Sequence, residues 1–285
     1  MKKGKVVTVA NQKGGVTKTN TCRYLADVYA ESGKKVLMID LDPQASLTKG
    51  YKIDEHLLTG VNEGNICNIF YGKEVNILSL SEDFYKEIHL LPSNKDLAAV
   101  AENSIVGKEL KLKKYIENNN LKDYYDVIII DNNPNFGSLT INSILAADIF
   151  VVPVGTTKDD QEGMHGFFDK TEETLSAYDH HVEKIVCIPS RHNKITKVSK
   201  IYLDIIKNDM EPYIKNNCPI LSHASYEITP PVPESVAFQE ASAYSMSCYK
   251  YLLEYGSTYS SMKKPAREDL ISKMKKIAKK VLKQN

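Results

Sequence analysis

The sequence predicts an α/β fold: a single doubly wound, mostly parallel sheet with helices on both faces. Three observations predict it. Apolar runs rich in Val and Ile recur along the chain, and segments with three-to-four spacing of apolar residues lie between them. The runs at Asp126–Ile130, Ile149–Val154 and Glu183–Ile188 are also nearly continuous in apolar residues. Continuous rather than alternating runs mark strands covered on both faces, and strands that alternate with helices pair in parallel.

Lys5–Ala10 is a short β-branched strand that passes straight into the glycine-containing stretch Asn11–Thr19. A helical pattern follows to about Ser32, carried by Leu25, Val28 and Tyr29, with Gly33 suited to its C-cap. Val36–Leu41 and Ile88–Leu91 are the next strands. Asn94–Tyr115 has helical spacing that Gly107 can break, and Ser138–Ala147, Gly163–Tyr178 and Lys197–Tyr213 supply the later helices. Thr229–Pro233, with its three prolines, is a local turn or extended element. No repeat, low-complexity segment or linker divides the chain, so residues 1–285 read as one domain with 264–285 an amphipathic helix packed on it.

Composition narrows the function classes. With 42% apolar and 26% charged residues among 285, the chain can bury a core without disulfides or metal. No apolar stretch approaches the roughly 18 residues of a membrane span. The basic start has too short an apolar run for a signal peptide, and the five scattered Cys lack CxxC spacing. These features predict a cytoplasmic protein with reduced thiols. The net charge of +1 hides an asymmetry: residues 263–285 carry nine basic residues against Glu268 and Asp269. A segregated basic tail implies an anionic partner, a nucleic acid or a membrane surface.

Lys13-Gly14-Gly15-Val16-Thr17-Lys18-Thr19 lies between a strand and a helix. Backbone amides of such a loop can wrap phosphate oxygens, and the helix N-terminus adds a favourable dipole. Lys18 would neutralise the β/γ-phosphates and the Thr19 hydroxyl would ligate Mg²⁺. The general pattern GxxxxGK[ST] fits poorly, because Lys13 occupies its first glycine position and Thr17 its second. Thr17 is expected to take helical or extended angles and to crowd the loop rather than strain it.

A lysine just ahead of Gly-Gly marks the deviant Walker-A subclass, and the sequence resembles the ParA/Soj family of DNA-partition ATPases, within the ParA/MinD superfamily of P-loop NTPase type. Met38-Ile-Asp-Leu-Asp-Pro-Gln44 is similar to the family's second motif, and Asp126-Val-Ile-Ile-Ile-Asp131 to its Walker-B strand. The likeness covers roughly residues 4–255 and is strongest in the first 155. It implies ATP and Mg²⁺ as cofactors, with Gly14, Gly15, Val16, Thr17, Lys18, Thr19 and Asn20 around the nucleotide. It implies Thr19, Asp40 and Asp131 in the metal shell and Asp42 orienting the attacking water. Lys13 would reach across an ATP-dependent homodimer to the other subunit's phosphates, where a cation offsets developing charge. Departures are Asn132-Asn133 in place of Thr-Pro, and Gly155 where the family commonly carries Gln or Glu. With the first strand at Lys5, no N-terminal helix-turn-helix and no sequence-specific operator binding are expected.

Leu270, Ile271, Met274, Ile277, Ala278, Val281 and Leu282 trace one helical stripe, with lysines mostly off it. The resemblance implies non-specific binding to nucleoid DNA, with Lys263, Lys264, Arg267, Lys273, Lys276 and Lys280 as candidates and Lys194, Lys197 and Lys200 as a second cluster. It also implies a ParB-like centromere-binding partner that stimulates slow ATP hydrolysis, and no stable membrane association. Competing readings stay open: a MinD-like helix lying on a membrane, a tyrosine kinase using Tyr244, Tyr249, Tyr251, Tyr255 and Tyr259, and an adaptor that binds ATP with little hydrolysis.

Overall fold

The computed structural model describes residues 3–53, 64–80, 87–258 and 260–283. Eight strands form one sheet: β1 (Lys5–Val9), β2 (Val36–Leu41), β3 (Leu78–Ser79), β4 (Ile88–Leu91), β5 (Val127–Asn132), β6 (Ile149–Val154), β7 (Lys184–Pro189) and β8 (Ser225–Ile228). Their order is β3-β4-β2-β5-β1-β6-β7-β8, and every pairing is parallel except β3 with β4. The doubly wound, mostly parallel sheet is the one expected. β1, β2, β5, β6 and β7 are buried along almost their whole length, as their uninterrupted apolar runs require.

Helices cover both faces. On one side, Val7, Val9, Met38 and Ile129 pack against the first helix (Lys18–Glu31), the helix Cys248–Glu254 and the last helix (Lys264–Leu282). On the other, Leu37, Ile39, Ile128 and Ile130 meet Leu112, Ile116 and Leu139, while Phe150, Val152 and Ile185 meet Met164, Phe167, Phe168 and Ile206.

Several elements differ from expectation for local reasons. The long helix after Asn94 is broken: Leu97–Glu102 stops, Gly107 takes φ 64°, and helix resumes at Lys111–Asn118. The helix expected from Gly163 starts at Lys158, because Thr157 caps it by accepting from the Asp160 amide. The next helix runs four residues past its expected end, to Asn217, through Pro212. The short β8 and the helices Ala237–Ala243 and Cys248–Glu254 carry no strong periodic signal and form through tertiary contact.

The last helix buries Leu270, Met274, Ile277, Ala278 and Val281 in the core. Tyr29 Oη donates to the Ala278 carbonyl at 2.9 Å. The Lys184 ammonium donates to the carbonyls of Lys280 and Lys283 at 2.8 and 3.0 Å and pairs with Glu227 at 2.6 Å, so a buried cation closes the helix C-terminus.

Candidate nucleotide site

The register of the central strands builds the site. Asp131 on β5 lies opposite Val9 on β1 and opposite Asp40 on β2. The carboxyl ends of these parallel strands therefore bring the glycine-containing loop and two acidic residues, 91 positions apart in sequence, to one place.

The loop is organised by its own side chains. Asn11 Nδ2 donates to the Pro153 carbonyl at 2.8 Å, and Asn11 Oδ1 accepts from the Lys13 amide at 3.0 Å. Lys18 curls back, donating to the carbonyls of Asn11 and Lys13 at 3.1 and 3.0 Å. Burial lowers its pKa, and the charges of Asp131 and Asp42 oppose that shift. Ser190 Oγ donates to the Val16 carbonyl at 3.2 Å and fixes the loop's far side. Among the described residues no acceptor takes the backbone amides of Gly14 to Thr17. They stand at the N-terminus of a 14-residue helix, an arrangement suited to an anion.

Thr17 corrects an expectation. Its φ is 70° and ψ 25°, in the left-handed region, and it caps the first helix with no side-chain hydrogen bond. The loop keeps the glycine conformation at the position where the general pattern has glycine, so the β-branched residue is strained there.

Asp131 is the group most in need of a partner. It is 1% exposed, and neither carboxylate oxygen has a hydrogen-bond partner. Burial pushes its pKa up to about 8; the neighbouring Asp40 adds to the rise, and Thr19 and Lys18 pull the other way. A buried unpaired carboxylate is costly unless a cation satisfies it. Two open carboxylate oxygens beside the Thr19 hydroxyl are a donor set of the kind Mg²⁺ takes, so the residues present fit that ion.

Asp40, expected in the metal shell, is engaged otherwise. Its Oδ2 accepts from the Thr48 amide and hydroxyl at 2.9 and 2.7 Å, and its Oδ1 from the Asp42 amide at 3.2 Å. Burial pushes its pKa up to about 6 against those hydrogen bonds. Asp40 holds the turn that carries Asp42. The Asp42 side chain is half-buried and accepts from the Gln44 amide at 2.9 Å. Lys13 turns away from its own loop, with Nζ 3.5 Å from Asp159.

The family profile described as AAA domain, AAA_31, matches residues 4–184, which hold the whole of this constellation. The chain belongs to the AAA_31 family. Its relatives place it in the ParA/MinD superfamily, beside proteins named Soj and ParA. The sporulation initiation inhibitor protein Soj of Bacillus subtilis is 34% identical over 153 residues, 53% of this chain and 58% of that protein. An uncharacterised protein of Pseudomonas putida is 35% identical over 168 residues, 58% of this chain and 61% of that protein. The chain thus spans about three fifths of the length of these curated relatives. Among solved structures, the Cyanothece McdA–ATP complex superposes with a TM-score of 0.76 at 21% identity, covering 100% of this chain and 99% of that one. The Mycobacterium smegmatis cobyrinic acid a,c-diamide synthase with bound ATP analogue and magnesium gives 0.63 at 27% identity, covering 91% and 98%.

A cleft of about 240 Å³ beside the AAA_31 loop is lined by Val16, Gly155, Thr156, Arg191, Asn193 and Glu234 among others. Most of these residues are absent from the sequence reading. The available signal is Ser190-Arg-His-Asn193, polar residues at the carboxyl end of a buried strand. Gly155 has a steric reason to be glycine: a Cβ there would stand 2.2 Å from Asp160 Oδ2, the carboxylate that takes the Thr157 hydroxyl at 2.5 Å.

The basic candidates fall into two groups. Lys263, Lys264 and Lys276 are exposed, as are Lys197 and Lys200. The others spend their charge within the chain. Arg267 donates to the Gly256 carbonyl, Lys280 pairs with Glu227 at 3.2 Å, and Lys273 pairs with Asp269 at 2.5 Å. Lys194 also approaches Asp269, at 3.9 Å, so the two clusters lie on one surface. The buried apolar stripe of the last helix is not available to a bilayer, and among the described residues no helix is long and apolar enough to cross a membrane. Tyr249 and Tyr251 are buried; Tyr249 donates to Glu31 at 2.5 Å and Tyr244, Tyr251 and Tyr255 stack on one another. Tyr259 lies outside the described residues.

Proposed function

We propose that the chain is a ParA-like partition ATPase that binds ATP with Mg²⁺, pairs with a second copy, holds DNA without reading sequence and releases it on hydrolysis. The observation that carries this reading is the unpartnered buried Asp131 carboxylate behind a loop whose lysine and free amides suit a triphosphate. The ATP complex of the McdA neighbour and a further relative, the chromosome-partitioning ATPase Soj of Thermus thermophilus, support it.

Lys18 and the amides of Gly14 to Thr17 hold the β- and γ-phosphates, with Asn20 in the first turn of the helix. Thr19 and Asp131 hold Mg²⁺, and Asp40 contributes by fixing the Asp42 turn. Bound there, the ion supplies charge neutralisation across the β- and γ-phosphates. Asp42 positions the attacking water. Lys13, already directed away from its own loop, delivers a cation to the site of the second copy. The exposed lysines at 263, 264 and 276, with 197 and 200, contact phosphates of random duplex, and pairing doubles their number. A ParB-like protein is the partner that accelerates turnover, and nucleoid DNA sets the location in the cytoplasm.

Sedimentation with random duplex DNA and with anionic liposomes, in ADP and in a non-hydrolysable ATP analogue, tests the reading. The wild type should pellet with DNA in the analogue only. Lys18→Ala should lose nucleotide binding, whereas Lys13→Ala should bind nucleotide and fail to dimerise or pellet. Dimerisation of Lys13→Ala in ATP, or pelleting with liposomes alone, would refute it.

A further inference from the structure

We propose that Asn132 is a positioning residue of the metal site: its side-chain oxygen accepts a hydrogen bond from water carried by the ion that Thr19 and Asp131 hold. The inference rests on the nucleotide reading above and adds a residue to the same site.

Asn132 ends β5 and is 2% exposed. Its register partner on β2 is Leu41, which stands between Asp40 and Asp42. Asn132 Nδ2 donates at 3.3 Å to the carbonyl of Val9, the last residue of β1. That bond sets the amide at the carboxyl edge of the sheet, where the glycine-containing loop leaves β1. It also fixes which end of the amide is which, because a backbone carbonyl only accepts and the NH₂ must face it. The oxygen is therefore turned away from Val9, and among the described residues it is buried with no partner. A buried acceptor left in that condition is costly unless a donor reaches it in the working protein.

The groups around it identify the donor. Mg²⁺ takes an octahedral set of oxygens and keeps several waters when one or two protein groups hold it. Thr19 and Asp131 supply only part of such a set, and the protons of the retained waters need acceptors. Asp40 has none to offer, since its oxygens are spent on Thr48 and on the Asp42 amide. Asp42 gives one oxygen to the Gln44 amide. Asn132 Oδ1 is adjacent in sequence to Asp131 and open, and it is uncharged. It can take a water proton without adding a third buried carboxylate beside Asp40 and Asp131.

Calorimetric titration with a non-hydrolysable ATP analogue, in excess Mg²⁺ and in EDTA, tests the role. Mg²⁺ should tighten binding by the wild type. Asn132→Leu should weaken binding about tenfold in Mg²⁺, the loss expected when a partner of a metal's bound ligands is removed, and leave it within about twofold in EDTA. Asn132→Ala carries the same expectation should the leucine variant not fold. Asn132→Thr, which keeps an oxygen, should retain most of the tightening. A merely structural role would move the melting temperature and leave the ratio of the two affinities alone. An unchanged ratio in folded Asn132→Leu or Asn132→Ala, or a ratio lost equally in Asn132→Thr, overturns the proposal. If Asp131→Asn loses the tightening while Asn132→Leu keeps it, the metal site stands and the role of Asn132 alone falls. A wild type whose binding Mg²⁺ does not tighten overturns both.

Discussion

Thr17→Gly should stabilise the protein, an unusual outcome for a substitution to glycine next to a helix. Thr17 sits at φ 70° and ψ 25°. A non-glycine residue in that region costs about 1–2 kcal/mol, with β-branched residues towards the upper end. Glycine removes that strain but adds roughly 0.5–1 kcal/mol of unfolded-state entropy. The side chain makes no capping hydrogen bond that would be lost, so the net gain is on the order of 1 kcal/mol, or about 2 °C in Tm for a domain of this size. Urea unfolding with an unchanged m-value measures it. Thr17→Asn should gain part of the same amount, because Asn tolerates the left-handed region, and Thr17→Val should match the wild type. Because the loop already holds this conformation, ATP affinity of Thr17→Gly should stay within about threefold of the wild type. A loss of stability in Thr17→Gly, or a gain in Thr17→Val, would refute the strain argument.

Asp131→Asn should raise the stability of the nucleotide-free protein at pH 7 by about 2 kcal/mol, since folding no longer has to protonate a carboxyl that burial holds at a pKa of about 8, and should abolish the melting-temperature rise that ATP with Mg²⁺ gives the wild type. Thermal melts with and without the two ligands measure both effects; destabilisation of the free protein would refute it. Asp27 tests the same physics away from the site. Burial raises its pKa from 3.8 to about 6, with Glu254 adding and Ser247, Arg23 and Lys250 opposing. A folded-state pKa above the unfolded one gives stability that is complete below about pH 3.8 and lost as pH rises through about 6. Asp27→Asn should therefore be more stable than the wild type by about 3 kcal/mol above pH 6 and lose that advantage towards pH 4; a pH-independent difference in urea midpoints would rule the titration out. Gly155→Ala should cost about 1–2 kcal/mol by pushing Asp160 off the Thr157 cap, read as a fall in Tm; unchanged stability would mean that Asp160 moves freely.

The parallel sheet was legible in the chain itself because strands buried on both faces must be apolar throughout. Ile88–Leu91, Val36–Leu41 and Ile149–Val154 begin and end where the apolar runs do. The phosphate loop was legible for a similar reason: glycines, a lysine and a threonine between strand and helix meet local backbone and charge demands, independent of distant contacts. Everything that depends on register or on packing between remote segments was decided by the tertiary structure. Nothing local shows that Asp40 spends both oxygens on the Thr48 and Asp42 turn while Asp131 keeps both of its own, since that difference arises from neighbours on adjacent strands. Thr17 reads as a residue free to take helical angles until the curl of the loop around Lys18 imposes a positive φ. The last helix reads from its spacing as one packed on the domain, with a membrane surface as the competing reading; the facing apolar surface of the first helix and the sheet is what turns its stripe inward. Local chemistry is written along the chain, whereas hydrogen-bond partners and burial belong to pairs of residues, and pairs exist only once the chain has folded.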